Sequence, residues 1–168
     1  QTLIIPSSKT FTLKKDQSVI LPFNLSMEGA LLKYSTTQLL AKVEEKNAVH
    51  YFFFAPEGLR TEYSFDKSTL SSGKEFYTPK PGLKSTFSIT VKNGKTLKIT
   101  TLTRQQALNT TKVNNHILIT EATVLPEKEQ CTLLSLGKTQ ISYALYTANK
   151  GWKEETIEVQ PVDVKADW

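Results

Sequence analysis

Residues His50 to Glu62 read HYFFFAPEGLRTE, and within them Tyr51, Phe52, Phe53 and Phe54 follow one another with no polar residue between. Successive side chains of a strand point to opposite faces, so an aromatic run of this kind has to be covered on both sides. The run ends at Ala55-Pro56-Glu57-Gly58, residues that turn a chain rather than extend it. The stretch predicts a central strand followed by a turn.

Outward from it, nearly every segment alternates apolar and polar residues with a period of two, and turn-forming residues recur at short intervals, which is an all-β pattern. Strands are predicted over residues 2–5, 10–13, 18–24, 31–43, 48–55, 60–65, 86–91, 96–102, 116–120, 131–136, 140–146 and 155–159. Pro22 has no amide to donate to a ladder, which predicts an edge or a bulge there. In TFSITVKNGKTLKIT, Thr86 to Thr100, a two-residue Asn93-Gly94 loop would split Phe87, Ile89 and Val91 from Leu97 and Ile99. A three-residue loop, Lys92 to Gly94, with Gly94 left-handed in a bulge, pairs Val91 with Lys95, Ile89 with Leu97 and Phe87 with Ile99. Thr103 and Gln106 have the spacing of a capping box and predict one short helix. The segment 68–84, rich in Ser, Gly, Pro and Lys, reads as a long exposed loop.

A chain of 168 residues can bury a sizeable core without disulfides or metals, and we read it as one domain spanning residues 1–168. No segment approaches the roughly 20 apolar residues of a membrane span. The net charge of +5 invites a nucleic-acid partner. The lysines are scattered, however: Lys14, Lys15, Lys42, Lys46, Lys92, Lys95, Lys98 and Lys150 fall at predicted turns or strand edges, where lysine discourages edge-to-edge pairing. No nucleic-acid-binding motif accompanies them, so no nucleic-acid partner is expected. Cys131 is the single cysteine, which excludes an internal disulfide, and its CTLLSL setting predicts a buried, inert thiol.

Candidate chemistry is sparse. Glu57 in the turn could be a catalytic acid only with a second carboxyl group at roughly 5 Å, or roughly 6.5–9.5 Å for inversion. Glu62 and Asp66 are its neighbours in sequence, but strand alternation sends Glu62 to solvent or to Arg60, and Glu57 reads as a solvated turn residue. His50 and His116, each leading into an apolar strand, lack the companions of a zinc site or a nucleophile triad and read as locally hydrogen-bonded. We expect no catalytic residue, no cofactor and no metal. The aromatics offer more. Tyr143 shares a face with Ile141 and Leu145, whereas Tyr146 lies on the other face, shortly before an Asn149-Lys150-Gly151-Trp152 loop. An exposed indole there suits stacking on a sugar, so Tyr146 and Trp152 are the candidate carbohydrate-binding residues; the alternative is that Trp152 folds back as a lid.

The stretch EGALLKYSTTQLLAKVEEKNAVHYFFFAPEGLRTEYSFD, Glu28 to Asp66, resembles a segment of the β-domain that follows the catalytic barrel in glycoside hydrolase family 35 β-galactosidases of the Bacteroides type. LLKYSTTQLL, YFFFAPEGL and EYSF carry the likeness, and LKITTLTRQQALNTTKVNNHILIT, Leu97 to Thr120, is similar to a later part of that domain. The resemblance covers about the middle two thirds of the chain. It implies an antiparallel β-sandwich, jelly-roll-like with one short helix, excised from a larger glycoside hydrolase of carbohydrate metabolism. The family's catalytic glutamates belong to a (β/α)₈ barrel that this chain has no strand-helix alternation to build. The resemblance therefore implies a non-catalytic accessory module whose partner is the catalytic barrel of the same parent chain. It also implies a galactose-containing glycan as a second candidate partner and a periplasmic, cell-surface or secreted parent protein. A carbohydrate-binding module and a free-standing structural or adhesion protein are the alternatives.

Overall fold

The computed structural model describes residues 21–126 and 131–159, so the strands expected over 2–5 and 10–13 lie outside the described residues. The chain divides into two compact units, Gln1–Ala107 and Leu108–Trp168. The first contains β1 (Phe23–Met27), β2 (Ala30–Ser35), β3 (Gln38–Glu44), β4 (Ala48–Phe54), β5 (Tyr63–Phe65), β6 (Leu70–Ser72), β7 (Phe76–Tyr77), β8 (Thr86–Val91) and β9 (Thr96–Leu102). The unit ends within helix α1 (Arg104–Leu108), whose last residue belongs to the second. A four-stranded sheet in the order β1-β2-β5-β7 faces a five-stranded sheet in the order β3-β4-β9-β8-β6. This is the expected all-β sandwich. Its pairings are antiparallel except for β4 and β9, which run parallel from Ala48 opposite Thr96 to Phe54 opposite Leu102.

The aromatic run forms most of β4, an interior strand paired on both edges. Val49, Tyr51 and Phe53 enter the core between the sheets with Leu97, Ile99, Ile89 and Val91 of their own sheet. Met27, Leu32, Tyr63 and Phe65 meet them from the facing sheet. Phe53 meets Tyr63 edge to face at 5.3 Å between ring centroids, and Tyr63 meets Phe87 at 5.3 Å in turn. His50 and Phe52 alternate to the opposite face, stack at 4.2 Å, and are buried as well.

The hairpin register is the one the apolar pattern requires. Phe87 lies opposite Ile99 and Ile89 opposite Leu97. The Val91 amide donates to the Lys95 carbonyl at 2.8 Å, and Gly94 takes φ +91°. A bulged three-residue loop keeps Phe87, Ile89, Val91, Leu97 and Ile99 on one face, and no side chain but hydrogen tolerates that φ cheaply. The capping box also forms: the Gln106 amide donates to Thr103 Oγ1 at 3.1 Å and the Thr103 amide to Gln106 Oε1 at 3.0 Å. The residue after Pro22 opens β1, which is an edge strand, and Asn24 within it takes φ +49°.

Three expectations need correction. The strand expected over 31–43 is two strands in different sheets, because Ser35, Thr36 and Thr37 turn the corner with their own hydroxyls. The Thr37 amide donates to Ser35 Oγ at 3.0 Å, and Thr36 Oγ1 donates to the Arg60 carbonyl at 2.7 Å. The segment 68–84 is not simply a loop. It supplies β6 at the edge of one sheet and β7 at the edge of the other. Between them Gly73 has φ +132°, and a Cβ there would meet Ile89 Cγ2 at 2.9 Å, so glycine lets the chain cross close to the core. Tyr77 then stacks on Phe87 at 3.9 Å and seals that side of the sandwich. Lys98 lies in β9, an interior strand, where it pairs with Glu45 rather than guarding an edge.

The second unit contains β10 (Thr110–Val113), β11 (His116–Thr120), β12 (Thr123–Pro126), β13 (Cys131–Leu134), β14 (Gln140–Thr147) and β15 (Gly151–Glu158). Strands β10, β11, β14 and β15 form an antiparallel sheet in that order, with the β12–β13 hairpin inserted between β11 and β14. Ile117, Leu118, Ile119, Ile141, Ala144 and Tyr146 are its buried apolar residues among those described, and Cys131 is a half-buried free thiol. Replacing Phe53 by alanine removes the ring that joins the two sheets and should cost about 3–5 kcal/mol. Leu39→Ala on the edge strand β3, at a side chain already 46% exposed, should cost under about 0.5 kcal/mol. Urea unfolding midpoints measure both, and equal midpoints for the two variants would contradict this placement of β4.

Candidate functional site

The turn that follows β4 is built by its sequence. The Leu59 amide donates to the Pro56 carbonyl at 3.4 Å, and Gly58 takes φ +83°, as the third position of a type II turn requires. Glu57 stands at the tip with 74% of its side chain exposed, its carboxylate 3.6 Å from Arg104 Nη1. The pair flanks an open recess of about 480 Å³ lined by Ala55, Pro56, Leu59, Pro81 and Thr103. No second carboxylate lines that recess. Glu57 can hold a cation or accept a hydroxyl there, and among the described residues it has no partner acid in the recess.

Glu62 is the principal correction among the site residues. Alternation assigned it to solvent or to Arg60, yet it is only 2% exposed. Strand β5 begins one residue later, and Glu62 is held by the corner at 35–37. The Thr36 amide donates to the Glu62 carbonyl at 3.0 Å, and the Glu62 amide donates to Thr36 Oγ1 at 2.8 Å. Ser35 Oγ donates to the same carbonyl at 3.1 Å, and the Tyr34 hydroxyl reaches the Glu62 carboxylate at 3.4 Å. The period-two reading failed because a residue outside the ladder has no obligation to alternate; the Ser-Thr-Thr run was the available signal. Asp66 caps the 3₁₀ turn at Lys67–Thr69, accepting from the Ser68 amide at 2.9 Å and Ser68 Oγ at 2.6 Å. Those bonds hold its carboxyl below the usual carboxylate range.

His50 does more than bond locally. Its Nε2 lies 2.6 Å from Thr100 Oγ1, which lies 2.6 Å from Thr86 Oγ1, and its Nδ1 lies 3.8 Å from Glu45 Oε1. Lys98 Nζ donates to the other oxygen of Glu45 at 2.7 Å. Carboxylate, imidazole and hydroxyl in this order resemble a nucleophile relay, but Thr100 is fully buried. The network pairs buried polar groups on the face of the five-stranded sheet away from the core. Burial, opposed by Glu45, lowers the His50 pKa from 6.5 to about 4. His116 differs, since its Nδ1 is buried without a hydrogen-bond partner among the described residues.

Tyr146 and Trp152 are brought together, though not as a loop platform. Trp152 lies in strand β15 directly opposite Tyr146 in β14. The loop proper is Ala148-Asn149-Lys150, with Asn149 at φ +66° and Gly151 at φ +84°. The rings meet edge to face at 5.2 Å and 69°. Tyr146 is 4% exposed and Trp152 half-buried, so the edge of one ring is spent on the face of the other. Tyr143 lies on the opposite face, as the alternation predicted, with its hydroxyl donating to Glu155.

Comparison with models of known protein families finds none that matches this chain. Comparison with curated proteins finds no match either.

The His50 network makes a pH prediction. The unfolded imidazole titrates near 6.5 and the folded one near 4, so between those values the unfolded state binds more protons. The stability that neutral His50 confers is complete above pH 6.5 and is lost as the pH falls toward and through 4, on the order of 3 kcal/mol in all. Urea unfolding of the wild type against His50→Gln across pH 4–7 tests this, with the wild type expected to lose its advantage on acidification. A pH-independent difference would refute it.

Proposed function

We propose that this chain is a non-catalytic accessory β-sandwich module of a β-galactosidase-like glycoside hydrolase, packing against and supporting the (β/α)₈ barrel of the same parent protein. The observation that carries the non-catalytic reading is the fate of the three acids in the stretch of strongest resemblance. Glu57 is solvated beside Arg104, Glu62 is sealed under the Tyr34 hydroxyl, and Asp66 caps a turn. These three separate settings support reading them as structural acids rather than as halves of an acid pair. The supporting role draws on the resemblance over Glu28 to Asp66 and Leu97 to Thr120, and on apolar surface that a larger neighbour would cover. Phe23, Leu39 and Phe76 of the first unit are each more than two fifths exposed, as are Leu108, Leu125 and Leu136 of the second. No helix among the described residues is long and apolar enough to cross a membrane. We place the parent protein in the periplasm, on the cell surface or outside the cell.

Carbohydrate binding through Tyr146 and Trp152 is the competing reading. An edge-to-face pair with one ring buried offers a sugar little flat surface, which favours the supporting role. Two measurements separate the possibilities. The open reading frame that encodes the chain should also encode a (β/α)₈ barrel, whereas a short frame with its own signal peptide would overturn the proposal. Titration of the purified chain with galactosides should leave its tryptophan emission unchanged; a saturable shift lost in Trp152→Ala would make it a carbohydrate-binding module.

A further inference from the structure

The tip of the β8–β9 hairpin carries an Asn-Gly pair whose chemistry the fold controls. Asn93 Nδ2 donates to the Glu28 carbonyl at 2.8 Å, across 65 residues of sequence, and Asn93 Oδ1 accepts from the Lys95 amide at 3.0 Å. The Gly94 amide is itself occupied, donating to the Val91 carbonyl at 2.9 Å. Opposite, Gly29 takes φ +99°, and a Cβ on it would stand 2.8 Å from Asn93 Nδ2. Absence of a side chain at Gly29 is what lets the amide lie across the β1–β2 turn. The Glu28 carboxylate anchors the same turn to the five-stranded sheet through Lys95 Nζ at 3.1 Å, Lys42 Nζ at 3.5 Å and the Tyr51 hydroxyl at 3.2 Å.

In an Asn-Gly pair the glycine nitrogen can attack the asparagine Cγ. A C–N bond forms, the bond from Cγ to Nδ2 breaks, and ammonia leaves with the proton released by the glycine amide. Water then opens the cyclic imide at either carbonyl to give aspartate or isoaspartate. The attack needs a free Gly94 nitrogen and a rotatable Asn93 side chain, and hydrogen bonds occupy both in the folded protein. We propose that Asn93-Gly94 is a latent deamidation site held closed by its clasp on the Glu28-Gly29 turn, and that conversion releases this turn from the hairpin. An aspartate at position 93 has no proton to give the Glu28 carbonyl and sets a negative charge against that carbonyl oxygen.

The test follows the mass gain of deamidation at Asn93 by peptide mapping at one mildly alkaline pH. Folded protein is compared with the same protein in denaturing urea. The folded chain should convert at least roughly ten-fold more slowly, because it reacts only through local opening; equal rates would overturn the proposal. Gly29→Ala, where circular dichroism shows it folded, should convert faster than folded wild type, and a wild-type rate would overturn the role of the clasp. Asn93→Asp reproduces the aspartate product and is expected to raise amide hydrogen exchange across residues 27–31. Unchanged exchange there would overturn the release step.

Discussion

Burial of strand β4 on both faces is the constraint from which the rest of the first unit follows. Tyr51 and Phe53 need a facing sheet, and Tyr63 and Phe65 supply it. A sheet can offer those two rings only if the chain leaves the five-stranded layer, which it enters at the Ser35-Thr36-Thr37 corner and leaves between β4 and β5 and again across Gly73. The aromatic packing is non-directional and strong, roughly 1.5–3 kcal/mol for each large apolar side chain buried. The hydroxyl-rich corner adds little net energy but fixes where the crossing occurs, since each of its buried polar groups would be costly unpaired.

The same constraint explains why polar residues in and beside β4 and β5 do structural work. Glu62 sits where the corner and β5 converge, so its backbone is claimed by Thr36 and its carboxylate by Tyr34. His50 lies beneath β4 on the face away from the core, and its imidazole spans from Thr100 toward Glu45. Both would look catalytic in a list of residue types. What the geometry shows is that both are enclosed, each 2% exposed and hydrogen-bonded within the unit.

Much of this was legible in the residues. Period-two alternation marked the strands, the split of apolar residues across the Lys92–Gly94 loop fixed the hairpin register, and Thr103 with Gln106 marked the helix start. What escaped was long-range or local irregularity. The parallel pairing of β4 with β9 has no signature in either strand alone, and β6 and β7 are too short for a period to register. Glu62 was misassigned because alternation was extended past the end of a ladder. Trp152 was read as a loop residue because Gly151 suggested a turn, whereas the β14–β15 loop closes just before it.

Native-state hydrogen exchange of the β4 amides tests the central claim most directly. If β4 is held from both edges and buried on both faces, the amides of Tyr51, Phe52 and Phe53 exchange only when the sandwich unfolds, with the free energy and denaturant dependence of global unfolding. Exchange of those amides by local opening, as readily as the edge strand β3, would show that the aromatic run is peripheral and that the fold rests on something else.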